Sequence, residues 1–481
     1  MTVDYGLYDA TGLAALLRNG DVTPGELLDE AIRRVEKLNP KLNAVTVRAD
    51  DVARRHIENG LPDGPFKGLP FLLKDLGAEA IDFPTHNGSR LYRDSVHAYD
   101  SEIYNRLRNT GVVTFGRTAA PEFGIGPVTE PAVYDGPTRN PWNTDRTPGG
   151  SSGGAGAVVA AGIVPAAHGS DGGGSVRIPA ASCGLVGFKP TRARLPDGPA
   201  AGEGWGGMAI DGILTRSLRD TAAFLDAIHG PDLGAPYWPP PLSEGYMAAM
   251  KRKPGRLRIA FTTKNFSGDP IDPECALAVE TTAKTLEELG HDVFEFTGKV
   301  GIEKMMLAWV KIVACGTALS VHAKSKDPAV YDELLDGVTR GAVRYAEGVS
   351  GADYLASVNA IHAFGREMAR AFLDFDILLT STLGEPPAKV GRFKPDNEDF
   401  ADYRMGPGGV FDYSPYTAAF NASGQPAVTL PLHWTGDRLP VGLHLAAAFG
   451  EDEKLMSLSA QLEEAAPWAE TQLSLIRELE E

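Results

Sequence analysis

The chain has 481 residues, of which 43% are hydrophobic and 23% charged. This composition excludes an intrinsically disordered protein and supplies enough apolar residues for a large core. The formal net charge of −17 disfavours nucleic acids and anionic membranes as partners. Cys183, Cys275 and Cys315 lie far apart and form no CxxC pair, which argues against a disulfide framework or a zinc site and favours a reducing, cytoplasmic compartment.

The sequence also predicts a soluble protein. Asp4 and Asp9 stand where a signal peptide would carry basic and then apolar residues. The longest apolar run, residues 155–167, is too short to span a bilayer and is interrupted by glycine and proline.

The predicted elements begin with a helix near the N-terminus. Thr23 and Glu26 form a capping box around Pro24 at the first helical position, and the pair Asn39-Pro40 is expected to end this helix. Runs typical of strands follow in GLPFLLKDL, GVVTFGR, RLRIAFTT, HDVFEF, FDILLTST and PAVTLPL. Amphipathic helical patterns such as ALAVETTAKTLEELG lie between them. This alternation predicts an α/β fold.

Two segments in the second half differ from that pattern. The proline-rich GAPYWPPPLSEG, residues 234–245, is a candidate surface connection. Residues 301–365 are predicted to be mostly helical, and their apolar stretch MMLAWVKIVACG predicts a helix that covers another part of the molecule. The length is compatible with two or three domains, although α/β enzymes often use such a length in one.

Two glycine-rich segments point to chemistry. TPGGSSGGAG, residues 147–156, has the composition of a flexible linker. HGSDGGGSVRIPA, residues 168–180, follows after one short stretch of small residues and places Ser175 24 positions after Ser151. Glycine permits close backbone approach, and successive N–H groups in such a turn can converge on an anion. We therefore predict a backbone cradle of the oxyanion-hole type instead of a tether.

A serine nucleophile in such a cradle needs a base. Residues 149–153 match the G-x-S-x-G elbow of α/β-hydrolases, but that elbow needs a strand immediately before it, whereas the preceding NPWNTDRTP is turn-rich, and no HGGG-type segment lies upstream. Lys74 lies in the apolar run LPFLLKDL, where desolvation would lower the pKa of its amine toward neutrality. A strand-end lysine that reaches water or pairs with a carboxylate is the alternative interpretation of the same residue.

Together these residues resemble the amidase signature family. The resemblance rests on a lysine in LLKD, on GGSSGG, on GxGGSxRxPA and on GLVGFKPT, with further similar segments in GPTRNPWN, FNASGQPAVTLP and LPVGLHLAAAFGED. It implies an α/β fold with a large twisted mixed β-sheet core surrounded by α-helices. It also implies a single domain over residues 1–481, with a motif core at about 65–230 and 375–450 and a variable, mostly helical, substrate-covering segment at about 231–374.

The resemblance further implies a Ser-cisSer-Lys mechanism. Ser175 is then the acyl-accepting nucleophile, Ser151 the bridging serine after a cis peptide bond with Gly150, and Lys74 the general base. The oxyanion hole is expected to consist of the backbone N–H groups of Gly172, Gly173, Gly174 and Ser175. Supporting roles are expected for Ser152, Asp171 and Arg177. One departure from the family pattern is Gly172, where members usually carry a bulkier residue, so this loop is either more mobile or leaves extra room.

Substrate contacts are implied for Phe123, Gly124, Ile125, Gly126 and Cys315. For Cys315 the alternative is a small hydrophobic residue on the helix that carries Trp309 and Ile312.

The expected function is an amidase that cleaves uncharged linear or cyclic amides, including nylon-type oligomers, anilides and urethanes, without a cofactor or metal and as a monomer or homodimer. The segments TEPAVYDGPTRNPWN and SGQPAVTLPLHW are most similar to a member that opens a cyclic nylon by-product. Two alternatives are the amidase subunit of a glutamyl-tRNA amidotransferase complex and a catalytically idle binding protein on the same fold. The acidic net charge weighs against a tRNA partner.

Overall fold

An 11-stranded mixed sheet organises residues 4–481, the part of the chain that this computed structural model describes. The strands are β1 (Val45–Arg48), β2 (Pro70–Lys74), β3 (Val113–Thr118), β4 (Ala166–Asp171), β5 (Val186–Lys189), β6 (Ile210–Thr215), β7 (Arg258–Phe261), β8 (Asp292–Glu295), β9 (Ile377–Ser381), β10 (Ala427–Trp434) and β11 (Pro440–Ala447). The helices are α1 (Ala10–Asn19), α2 (Pro24–Leu42), α3 (Asp50–Glu58), α4 (Glu102–Asn109), α5 (Gly153–Ala160), α6 (Arg177–Cys183), α7 (Leu218–Ile228), α8 (Tyr246–Lys251), α9 (Pro273–Glu288), α10 (Ile302–His322), α11 (Pro328–Leu334), α12 (Gly337–Glu347), α13 (Gly351–Ala371), α14 (Phe400–Met405), α15 (Val410–Tyr413), α16 (Thr417–Ser423), α17 (Asp452–Ala465) and α18 (Ala469–Glu480).

The strand order is β1-β3-β2-β4-β6-β5-β10-β11-β9-β7-β8. Parallel pairing joins β2 to β3 and β4 at one end and β7 to β8 and β9 at the other. The strands between these groups pair antiparallel. The predicted α/β fold with a mixed sheet is therefore confirmed. Because β7 and β8 come from the variable segment, that segment shares the sheet with the motif core, while the single-domain assignment stays a prediction.

Both faces of the sheet are covered at β2. Leu72 belongs to one apolar cluster with Ala157 of α5, whereas Phe71 and Leu73 belong to another with Phe224 of α7. Successive side chains of a strand point to opposite faces, and a strand buried on both faces has a continuous apolar sequence. This explains the uninterrupted run that precedes Lys74.

The first predicted helix is confirmed at its beginning and wrong at its end. Thr23 and Glu26 form the capping box, but α2 continues through Pro40 to Leu42, and the N–H of Asn43 donates to Asn39 O at 2.8 Å. A proline in the last helical turn removes only one helical hydrogen bond, so the cost there is small enough for the helix to continue.

Helix α10 has the length and composition of a membrane-crossing helix, with a mean hydropathy of 1.5. However, 56% of that stretch is buried inside the protein, which is typical of a core helix in a soluble protein. The Trp309 indole of α10 donates to Gly172 O at 3.2 Å, so this helix packs against the glycine loop, while its substrate-covering role stays a prediction.

Candidate active site

The site lies where β2 and β4 end side by side. These strands run parallel, with Leu72 opposite Ala167, so their carboxyl ends meet at the same edge of the sheet. Strand β2 ends at Lys74, and β4 ends at Asp171, immediately before the glycine loop of residues 172–175. The N–H of Ser152, just before α5, donates to Ser175 O at 3.2 Å. Three segments that are distant in sequence therefore converge.

The segment GGSSGG is buried and is not a tether. Ser151 is 1% exposed. A Cβ atom on Gly150 would lie 2.7 Å from Gly126 O, and one on Gly154 would lie 2.4 Å from Ala119 N. Glycine is needed at these positions because other backbone segments approach this closely. The peptide bond between Gly150 and Ser151 is cis.

Lys74 is fully buried and meets hydroxyl groups instead of water. Its Nζ lies 2.7 Å from Ser151 Oγ and 2.9 Å from Ser170 Oγ. Within residues 4–481 no carboxylate forms an ion pair with it, so the interpretation as an exposed or carboxylate-paired lysine is wrong. Burial lowers the pKa of Lys74 to about 7, although Asp211 and Asp171 partly oppose this. A substantial share of these amines is therefore neutral at neutral pH.

The backbone of Lys74 is held on two sides. Arg117 is fully buried and donates to Lys74 O at 2.5 Å and to Phe83 O at 2.8 Å. The Lys74 N–H donates to His168 Nδ1 at 3.3 Å, and His168 Nε2 lies 3.0 Å from Asp211 Oδ1. Sequence reasoning missed these residues together with Ser170. The one available signal was that Arg117 is the single charged residue of β3.

The glycine loop of residues 172–175 presents part of its backbone to the site. The Gly174 N–H donates to Asp171 Oδ1 at 2.7 Å, so it is occupied and does not belong to the expected oxyanion hole. The N–H groups of Gly172, Gly173 and Ser175 have no hydrogen-bond partner among residues 4–481. These three groups are the ones available to an oxyanion.

Two side chains hold the loop in this orientation. Besides the bond from Trp309 to Gly172 O, the Thr417 hydroxyl donates to Gly173 O at 2.6 Å. In a planar trans peptide the C=O and the following N–H point in opposite directions. Since the Gly172 carbonyl is turned toward α10, the N–H of Gly173 points away from that helix.

A buried ion pair anchors the base of the loop, where Asp171 and Arg177 were expected to act. Arg177 Nε and Nη2 each lie 2.9 Å from the Asp171 carboxylate, and Asn421 Nδ2 donates to Asp171 Oδ1 at 2.9 Å. Burial raises the pKa of Asp171, but Arg177 and Asn421 outweigh burial and hold this pKa well below its usual range. Arg177 Nη1 also lies 3.0 Å from His444 Nε2.

We expect Asp171→Asn to lower the free energy of unfolding by about 3–5 kcal/mol, because the Arg177 charge would stay buried without a partner. Urea unfolding at neutral pH measures this change. The matched control, Asp376→Asn, breaks a half-exposed ion pair with Lys454 and should cost less than about 1 kcal/mol. Because the folded pKa of Asp171 is depressed, its contribution is present above the unfolded pKa and is lost as pH falls below it. Equal unfolding midpoints for Asp171→Asn and wild type would contradict this role.

A cavity opens beside Ser175, which is half-buried. Its lining includes Gly124, Gly126, Gly150, Trp205, Trp309 and Arg404. Two residues of the predicted substrate-contact segment therefore reach the cavity. Phe123 and Ile125 are buried and do not line it, and neither does the half-buried Cys315. The expected substrate contacts of Phe123, Ile125 and Cys315 are therefore not found in this cavity.

Trp205 fills the room that Gly172 leaves. A Cβ atom on Gly172 would lie 2.5 Å from the Trp205 ring, and a Cβ atom on Gly316 of α10 would lie 2.8 Å from the same ring. The Trp205 and Trp309 rings pack edge to face with centroids 5.8 Å apart. The space left by a glycine at position 172, where family members usually carry a bulkier residue, is therefore filled by the Trp205 indole. Sequence reasoning missed Trp205 because the two glycines that accommodate it are far apart in the chain.

We expect Gly172→Ala to displace the Trp205 indole and to lower kcat/KM by about tenfold or more, since small displacements of catalytic groups carry such costs. Steady-state kinetics with an anilide substrate measures the loss. Trp205→Ala in the Gly172→Ala background should recover part of it, as expected for contacting residues. Gly351→Ala is the control, because a Cβ atom there meets no other atom within 4 Å. If Gly172→Ala matched this control, the packing argument would be wrong.

Comparison with known proteins agrees with this geometry. A family model described as Amidase matches residues 26–456. The chain belongs to the amidase signature family. It is 36% identical over 472 residues, 96% of this chain and 95% of the relative, to 6-aminohexanoate-cyclic-dimer hydrolase of Paenarthrobacter ureafaciens. The solved structure of a 6-aminohexanoate cyclic dimer hydrolase complexed with substrate superposes with a TM-score of 0.91 at 34% identity, covering 98% of this chain and 100% of that one. A bacterial aryl acylamidase of the family gives a TM-score of 0.86 at 28% identity, covering 98% of each chain.

The family membership identifies the protein as an amidohydrolase that acts on carbon–nitrogen bonds other than peptide bonds. The amidotransferase alternative is more distant. A glutamyl-tRNA(Gln) amidotransferase subunit of Thermotoga maritima superposes with a TM-score of 0.79 at 24% identity, covering 97% of both chains. A likeness at this identity shows the fold alone.

Proposed function

We propose that this amidase hydrolyses uncharged linear or cyclic small-molecule amides through an acyl-enzyme formed on Ser175. The observation that carries the proposal is the fully buried amine of Lys74, with a pKa lowered to about 7, at 2.7 Å from Ser151 Oγ. Ser151 adjoins Ser152, whose N–H donates to the backbone of Ser175. A base, a bridging hydroxyl and a nucleophile-bearing loop are thus adjacent.

In the proposed first step, Ser175 Oγ attacks the amide carbon. The Ser175 proton passes to Ser151 Oγ while the Ser151 proton passes to Lys74 Nζ. The resulting oxyanion accepts hydrogen bonds from the free N–H groups of Gly172, Gly173 and Ser175. A donor of this kind is typically worth about 3–4 kcal/mol of transition-state stabilisation.

In the second step, the tetrahedral intermediate collapses. Lys74 returns its proton through Ser151 to the leaving nitrogen, the C–N bond breaks, and an ester to Ser175 remains. Water then attacks this ester with the same groups acting in the same order, and the acid is released. Ser152 supports the arrangement, since its Oγ accepts from Ser170 N at 3.2 Å.

The cavity wall favours an uncharged acyl or aryl group because Trp205, Trp309 and Phe411 line it. Cyclic nylon-type oligomers and anilides are proposed as substrates because two structurally similar relatives are a 6-aminohexanoate cyclic dimer hydrolase and an aryl acylamidase. Urethanes and esters are proposed as further substrates because their hydrolysis can proceed through the same kind of acyl-enzyme. A cytoplasmic location, and a monomer or homodimer, complete the proposal. The acidic net charge and the three free cysteines support this location.

The test is to purify the chain alone and to offer a para-nitroanilide, the cyclic dimer of 6-aminohexanoate, an aryl urethane and glutamine. We expect hydrolysis of at least one of the first three without any added protein. Glutamine hydrolysis that requires co-purifying proteins, with no turnover of the other substrates, would favour the amidotransferase alternative and overturn the proposal.

A further inference from the structure

The wall of the Ser175 cavity contains a buried guanidinium without a counter-ion. Arg404 is 4% exposed and lines the same cavity as Ser175. Among residues 4–481 it forms no ion pair with a carboxylate. Within the same residues its one hydrogen bond runs from Nη2 to the carbonyl oxygen of Ile125, and its Nε is buried without a hydrogen-bond partner.

Aromatic rings pack near the guanidinium group of Arg404 but do not provide acceptors for its N–H groups. The guanidinium carbon lies 4.9 Å from the ring centre of Trp309, 5.2 Å from Phe400 and 5.4 Å from Tyr403. Cation–π contacts of this kind favour a cation, but they offer no oxygen to its N–H groups. Burial lowers the pKa of Arg404 to about 10, so the group is still charged at neutral pH.

The two other buried arginines of the site differ from Arg404, because their N–H groups donate to several carbonyl or carboxylate oxygens. Arg117 donates to the carbonyl oxygens of Lys74, Gly77, Ala78 and Phe83. Arg177 forms a two-pronged pair with Asp171. A buried charge without such partners costs several kcal/mol. Because Arg404 also lines the cavity that holds the nucleophile, its N–H groups without an acceptor point to a partner supplied by the substrate.

We propose that Arg404 is a substrate-binding residue whose free edge donates to an oxygen atom of the substrate outside the scissile amide. The class of substrate is an amide that carries a second oxygen acceptor, either a carboxylate or another carbonyl. A guanidinium presents its donors in a planar fork that suits both groups. This inference rests on the proposed function and specifies the acyl group: another carbonyl keeps the substrate uncharged, whereas a carboxylate would extend the substrate class to acidic amides. A purely hydrocarbon acyl group would leave the remaining N–H groups of Arg404 without an acceptor.

The test compares three para-nitroanilides of nearly identical shape. The acyl groups derive from glutaric acid, glutaramic acid and 5-methylhexanoic acid, and they end in a carboxylate, a carboxamide and an isopropyl group. We expect Arg404→Met to lower kcat/KM for the oxygen-bearing anilides roughly tenfold or more relative to the isopropyl one, mainly through KM. A larger loss for the glutaric anilide assigns the site to a carboxylate, and equal losses for the two oxygen-bearing anilides assign it to a carbonyl.

The matched control is Arg392→Met. Arg392 pairs with Glu385 and is 30% exposed, so its replacement should leave the ratios between the three substrates unchanged. Equal losses on all three anilides in Arg404→Met would mean a purely structural role and would overturn the inference. Failure of the wild type to hydrolyse any anilide, cyclic dimer or urethane would instead count against the proposed function itself.

A second measurement covers the case in which Arg404→Met does not fold. Competitive inhibition of the wild-type enzyme by glutaramide is compared with that by 5-methylhexanamide. We expect the inhibition constant of glutaramide to be lower than that of 5-methylhexanamide by roughly tenfold or more. Equal inhibition constants would overturn the inference without any variant.

Discussion

Replacing Ser175 with alanine should abolish turnover of an anilide substrate while leaving its binding nearly intact. The proposed acyl-enzyme forms on Ser175 Oγ, so the variant has no nucleophile, whereas the cavity wall and the free N–H groups of the loop stay in place. Loss of such a nucleophile lowers kcat by about 10⁴-fold or more. Single-turnover kinetics measures the rate, and calorimetric titration of the variant measures binding.

A matched control for Ser175→Ala is Ser95→Ala. Ser95 is buried, its Oγ has no hydrogen-bond partner in the part of the chain that the structure describes, and it lies outside the Ser175 cavity. Its replacement should leave kcat within about twofold, because it removes a hydroxyl group that neither lines the cavity nor hydrogen-bonds to the catalytic residues, so transition-state stabilisation is unchanged. Appreciable activity in Ser175→Ala would show that another group attacks the amide.

Replacing Lys74 with methionine should lower kcat/KM for an anilide by several orders of magnitude, on the order of 10³-fold or more, since general-base catalysis and activation of the nucleophile are lost together. The base acts in its neutral form. With a pKa lowered to about 7, wild-type kcat/KM should therefore fall about tenfold for each pH unit below that value and level off above it. Initial rates across mild acid to mild alkali give both the loss and the profile.

The chain offers a matched control for Lys74 in a second buried lysine. Lys189 on β5 is 2% exposed, its pKa is also lowered to about 7, mainly by burial, and its Nζ donates to Pro190 O at 2.8 Å. Lys189→Met should keep the acid limb of the wild-type profile, because Lys189 contacts neither Ser151 nor Ser170. The assignment of the acid limb to Lys74 would be wrong if the limb persisted in the residual activity of Lys74→Met or vanished in Lys189→Met.

The sequence predicted most of the strands and singled out Lys74, Ser151 and Ser175, which the structure brings together, but it did not predict the residues that hold them in place. Lys74, Ser151 and Ser175 stand in local motifs, and the runs that became β2, β3, β9 and β10 are short and apolar. Such strands and motifs can be recognised from the sequence because the pattern that defines them lies in residues that are adjacent in the chain. The error at Pro40 concerned a helix end, where the loss of one hydrogen bond has little effect on whether the helix continues.

The supporting residues were not accessible from local patterns. Asn421 and His444 reach the Asp171 network from α16 and β11, and Arg404 reaches the cavity from α14. Their roles depend on how distant elements of one sheet and its covering helices meet. The assignment of Gly174 to the oxyanion hole failed for a similar reason, because a carboxylate three residues earlier takes its N–H.

The central claim, that neutral Lys74 activates Ser175 through Ser151, is tested most directly by inactivation with a serine-directed fluorophosphonate. The rate of inactivation is followed as a function of pH, and the labelled peptide is identified by mass spectrometry. We expect one equivalent of label on Ser175, with a rate that rises as pH increases and levels off above about pH 7. Label on another residue, or a rate independent of pH between mild acid and neutrality, would contradict the claim.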